Sequence, residues 1–81
     1  MDDATVRATL RAYIARDLIR DESYEIEDDE GIITGGLIDS FSLAELAVYI
    51  EQEYNVFIPN TDLTVAKMDT LDQIVARVLK G

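Results

Sequence analysis

The sequence predicts an all-α fold: a small four-helix bundle, three longer helices plus one short, forming a single domain over residues 1–81. Apolar residues recur at helical spacing in three separate stretches. Capping and stop residues bound those stretches. The chain has 81 residues, 48% of them hydrophobic, which suits one folded domain rather than a disordered acidic tail.

Residues 3–19 read as the first helix. Asp2 and Asp3 suit its N-terminus, and Arg16 and Arg20 its C-terminus, because each charge opposes the local end of the helix dipole. Val6, Leu10, Tyr13, Ile14 and Leu18 form an apolar stripe. Asp17 falls on the same side, so either the helix frays there or Asp17 finds a partner.

A long connection follows. Residues 21–30 carry seven acids, whereas residues 31–38 carry no charge. Connections of this length tend to be functional or disordered. Ile26, Ile32, Ile33 and Leu37 are candidates to pin it to the core, and Gly31, Gly35 and Gly36 supply turns. The acids invite a calcium reading. An EF-hand loop needs a carboxylate first, Gly sixth and Glu twelfth. With Gly31 sixth, those end positions hold Ile26 and Leu37, so no metal site is expected.

The second helix is expected from about Ser40 to Tyr54, stopped by Asn55, with Pro59 forbidding continuation. Residues 61–67 are expected to form the short helix, with Asn60 or Thr61 as its N-cap. The last helix starts at Thr70, which has capping-box spacing to Gln73. Leu71, Ile74, Val75 and Val78 then repeat on one face, and Gly81 follows as a stop.

The charge balance narrows the function. Seventeen acidic and seven basic side chains give a formal charge of −10. That excess works against nucleic acids and anionic membranes, which are bound through Lys and Arg. It favours partners with basic docking surfaces and fast, salt-sensitive association. The chain has no Cys and no His, which excludes disulfides, thiolate nucleophiles and Cys/His zinc sites. It also removes the commonest general base at neutral pH. The opening Met-Asp-Asp lacks the basic and apolar regions of a secretory signal, and no apolar run approaches a membrane span. A soluble, cytoplasmic monomer is expected.

The segment that carries chemistry is Gly36-Leu37-Ile38-Asp39-Ser40-Phe41. Either Asp39 or Ser40 could cap the helix that follows, and Ser42 and Glu45 also have capping-box spacing. On a helical wheel Leu43, Leu46, Ala47, Ile50 and Tyr54 share the core face. Phe41, Glu45, Val48 and Gln52 fall opposite. Phe41 and Val48, flanking Glu45 beside Ser40, therefore form a candidate docking stripe. Phe41 joins the core instead if the uncharged loop folds over it.

These residues resemble a family. Gly-Leu-Ile-Asp-Ser-Phe, then Leu43, Glu45, Leu46 and Ile50, then Glu53-Tyr54-Asn55-Val56-Phe57-Ile58-Pro59, look like the acyl carrier protein and peptidyl carrier protein superfamily. The likeness spans nearly the whole chain. It implies that Ser40 is esterified by 4′-phosphopantetheine and that Asp39 is the neighbouring motif residue. It implies a phosphopantetheinyl transferase that draws the arm from coenzyme A with magnesium in its own complex. It further implies an acyl- or aminoacyl-loading ligase and downstream synthase enzymes as partners. The chain itself would be a carrier, not an enzyme, and the missing thiol would be imported on the arm.

One departure from the pattern matters. Acyl carriers of dissociated fatty acid synthesis usually show an acid two residues after the modified serine, and here Ser42 stands there. Ala44, Val48 and Gln52 also dilute the acids of the second helix. The departure points to a specialised fatty acid or polyketide-type pathway. An aminoacyl, peptidyl or D-alanyl carrier is the alternative, and an unmodified helical adaptor is another. A hydrolase using Ser40 lacks a base to activate it.

Overall fold

Helix α1 (Asp3–Tyr13) starts where the Asp2 carboxylate accepts the Thr5 N–H at 3.2 Å. In the computed structural model, which describes all residues 1–81, three further helices follow: α2 (Ser42–Tyr54), the short α3 (Val65–Met68) and α4 (Leu71–Lys80). The fold is an all-α bundle of three longer helices and one short one. No helix is long and apolar enough to cross a membrane.

The first helix does not run as a regular α-helix to residue 19. After Tyr13 it widens into a π-helix over Ile14–Ile19, closed by Arg20 in the left-handed conformation, whose N–H reaches back five residues to the Ala15 carbonyl. The widening settles the conflict at Asp17. Ile14 and Ala15 stay buried, Leu18 and Ile19 pack at the edge of the core, and Asp17 is turned out to solvent. There it accepts from Arg16 Nε at 3.1 Å and Nη2 at 2.8 Å.

The core draws on all four helices. Val6, Leu10 and Tyr13 come from α1, Leu43, Leu46 and Ile50 from α2, and Met68 from α3; Leu71, Ile74, Val75 and Val78 come from α4. Ala47 and Tyr54, expected on the core face of α2, lie at its edge. Tyr13 stacks flat on Tyr49, with ring centroids 3.8 Å apart, and so joins α1 to α2. No polar or charged side chain is buried. The expected helix at 61–67 is split into a 3₁₀ turn at Asn60–Asp62 and α3, because Leu63 and Thr64 leave helical geometry between them. Asp62 joins the two halves to α4 by accepting from Lys67 Nζ at 3.0 Å and Arg77 Nε at 3.2 Å.

The long connection is packed, not loose. Ile26, Ile32 and Ile38 are buried in the core, and Ile33 and Leu37 are half-buried. The Asp28 carboxylate meets Arg7 and Arg11 of α1, while its carbonyl accepts the Asp72 N–H at 3.0 Å. Arg7 also reaches Asp3 and Asp72, so one guanidinium ties α1, the connection and α4 together. Glu30 accepts from the Tyr24 hydroxyl and from the Glu27 N–H. Part of the acidic run therefore holds the connection onto the bundle. The radius of gyration is 11.3 Å. A compact chain of this length has about 12 Å, so the connection adds no bulk beyond the globule.

Candidate functional site

The predicted site lies where the connection enters α2. The helix proper begins at Ser42, two residues later than expected, because residues 39–41 form a turn first. Asp39 closes that turn. Its carbonyl accepts the Ser42 N–H at 3.2 Å, and its Oδ1 accepts the same N–H at 3.2 Å and the Ser42 hydroxyl at 3.4 Å. Ser42 is thus a first-turn residue and forms no capping box with Glu45. Neither candidate is the N-cap of α2, which is Phe41 without a side-chain bond; Asp39 instead takes the first N–H of the helix from the turn before it. The neighbouring Ser40 side chain is exposed and makes no hydrogen bond within the chain. Its carbonyl accepts the Leu43 N–H at 3.2 Å, so its backbone is held while its hydroxyl stays free.

The residues of the candidate docking stripe are exposed, on the face where the wheel put them. Phe41 is 85% exposed and Val48 56%, and Glu45 and Gln52 are exposed as well. The uncharged loop does not fold over Phe41. A residue the wheel could not supply joins them. Phe57, 69% exposed, shares an open groove with Val48, walled by Ala44, Ala47, Ile58 and Leu63. Its signal was present in the pattern Val56-Phe57-Ile58. In an extended segment alternate side chains point to opposite faces, and Val56 and Ile58 are buried.

The approach to Ser40 is shaped by a residue far away in sequence. Asp69, just before α4, accepts at Oδ1 from the Ile33 N–H at 2.8 Å and the Thr34 N–H at 3.1 Å. Its Oδ2 accepts from the Thr34 hydroxyl at 2.7 Å, and its carbonyl accepts the Ile32 N–H at 2.9 Å. Partial burial pushes the Asp69 pKa up, but the bonds from Thr34 and Ile33 outweigh that and hold it below the ordinary carboxylate range. Gly31 is required beside this contact, since a Cβ there would collide with the Thr34 hydroxyl and lie 2.8 Å from Asp69 Oδ2. Gly36 serves differently: its φ of +81° is the left-handed conformation that glycine adopts without strain.

No protein-family model matches this chain, and comparison with curated proteins returns no match.

Proposed function

We propose that this protein is a carrier that holds an acyl-type cargo as a thioester on a 4′-phosphopantetheine arm esterified to Ser40. The single observation that supports it most is the division of labour at the start of α2. Asp39 caps the turn, and the adjacent hydroxyl is left exposed and unbonded. A chain without Cys has no thiol of its own, and the arm supplies one. Esterification joins Ser40 Oγ to the phosphorus of coenzyme A's pantetheine phosphate, breaks the bond to the nucleotide phosphate and releases the nucleotide with the serine proton. No side chain of this protein is placed to take that proton, so the base belongs to the transferase. Ser40 also sits ahead of the first turn of α2, whose positive dipole end favours the phosphodiester.

In this reading Phe41, Glu45, Val48 and Phe57 meet the transferase, the loading ligase and the synthase enzymes. Glu45 faces a basic side chain of the partner, and the apolar three fill shallow pockets. The protein works in the cytoplasm as a monomer. Among carriers, Ser42 and the dilute acids of α2 favour a specialised pathway over bulk fatty acid synthesis.

The test is incubation of the purified chain with coenzyme A and a promiscuous phosphopantetheinyl transferase, followed by intact-mass measurement. One added arm is expected on the wild-type chain and none on Ser40→Ala. A wild-type chain that stays at its original mass would leave the adaptor reading in its place.

A further inference from the structure

We propose that Asp69 is a positioning residue for the modification of Ser40, acting through the glycine-rich loop that carries the serine. The inference rests on the carrier reading above. Asp69 never touches Ser40; it acts through a continuous run of hydrogen bonds.

The run begins on α4. Gln73 Oε1 accepts the Asp69 N–H at 2.8 Å and the Thr70 N–H at 3.0 Å, and Gln73 Nε2 donates to the Ala66 carbonyl at 2.8 Å. The capping box of α4 thereby fixes the Asp69 backbone. Asp69 then takes three successive loop amides: Ile32 on its carbonyl, Ile33 and Thr34 on Oδ1. The Ile32 carbonyl passes the constraint on, since it accepts both the Leu37 N–H and the Ile38 N–H at 3.0 Å. Within this loop the Gly35 N–H meets the Gly31 carbonyl at 2.8 Å and the Gly36 N–H meets the Ile33 carbonyl at 3.0 Å. Ile38 is buried, and the next two residues are Asp39, which caps the turn, and Ser40.

The carboxylate is needed because the loop cannot satisfy these donors itself. The Ile33 and Thr34 N–H groups have no backbone acceptor, and Asp69 takes both with one oxygen. Removing the carboxylate frees residues 33 and 34, and with them the Ile33 carbonyl that holds the Gly36 N–H three residues before Asp39. The loop then samples other arrangements, and the exposed turn at Ser40 spends less time in the geometry a transferase must recognise. Apparent affinity falls by the fraction of time spent in the competent geometry, whereas chemistry after binding is unchanged.

The experiment measures kcat and KM for transfer from coenzyme A to the full chain, at a temperature where circular dichroism shows every variant folded. Asp69→Ala is expected to raise the KM for the carrier about tenfold with kcat near wild type, as a competent population of about one tenth requires. Asp69→Asn keeps an Oδ1 acceptor for both N–H groups and is expected to recover most of that loss. Val78→Ala removes core packing near the far end of α4 and serves as the control for destabilisation alone; it is expected to keep the wild-type KM. Should Asp69→Ala fail to fold, Thr34→Val, which removes only the hydroxyl bond, carries the test with a rise of about threefold. A wild-type KM in Asp69→Ala, or in Thr34→Val where that replaces it, overturns the proposal. So does an equal rise in Val78→Ala. A wild-type chain that gains no arm at all defeats the carrier reading first, which separates the two failures.

Discussion

The starts of α4 and α2 use similar side chains to opposite ends. At α4 the Thr70 hydroxyl accepts the Gln73 N–H at 3.2 Å, and the Gln73 amide returns to the Thr70 N–H at 3.0 Å. Both groups are consumed by the helix. At α2 the carboxylate of Asp39, in the turn before the helix, takes the Ser42 N–H, and Ser40 next to it keeps its hydroxyl unbonded. A hydroxyl at a helix start is available for chemistry only where a neighbour has relieved it of capping.

The largest effects test that contrast directly. Ser40→Ala is expected to abolish arm transfer while changing stability by no more than about 0.5 kcal/mol, since the hydroxyl holds nothing. Thr70→Ala should do the reverse. It still gains the arm at completion, whatever its rate, but loses about 1 kcal/mol, read as a fall in melting temperature of roughly 4–8 °C. Intact mass and thermal melts on both variants decide it; an arm still gained by Ser40→Ala would put the site elsewhere.

Next comes the orientation of α2 itself. Leu46 is fully buried and Val48 is 56% exposed. Leu46→Asp buries an unpaired charge and is expected to unfold the domain. Val48→Asp should keep its helical circular dichroism yet impair modification at every ionic strength, because it removes an apolar anchor. Glu45→Lys, beside them, should slow association strongly at low salt and less at high salt.

Smaller effects separate capping from chemistry. Asp39→Ala removes the acceptor of the Ser42 N–H and is expected to cost about 1 kcal/mol, with Asp39→Asn costing far less, because Asn keeps an oxygen that accepts there. The last contrast is in pH. The capping box of α4 contains no titrating group, but Asp69 beside it does. Its folded-state pKa lies below the ordinary 3.8, as does that of Asp62 beside Lys67 and Arg77. A depressed carboxyl contributes stability above its unfolded pKa and loses it as pH falls through the folded value. Melting temperature should therefore hold from neutral pH to about 5 and decline below 4. Asp69→Asn should flatten that decline in part.

Much of this was legible because local rules agreed. Thr70, Gln73 and the spacing of Leu71, Ile74, Val75 and Val78 all pointed to α4, and all of them hold. Asn55 was readable as a stop and adopts the left-handed conformation with φ 55°. The start of α2 was read two residues early because Asp39 and Ser40 were equal candidates for one role. The π-helix left a single trace, Asp17 on an apolar stripe, since a change of hydrogen-bond register alters no residue type. Asp69 left none. Its partners Ile33 and Thr34 lie 36 and 35 residues away, and a backbone N–H in need of an acceptor has no letter in the sequence.

The packing of α1 chiefly against α4 sets an order on how the molecule comes into being. The helix made first finds its main neighbour in the helix made last. At about 5–20 residues per second, the stripe of Val6 and Leu10 emerges from the ribosome and waits several seconds for its cover. The connection cannot close early either, because Ile32, Ile33 and Thr34 are held by Asp69, which is also late to appear. The contacts of α1 with α4 and of the connection with Asp69 therefore form only once residues 69–80 are available. A net charge of −10 on each copy works against association of chains whose apolar stripes are still uncovered.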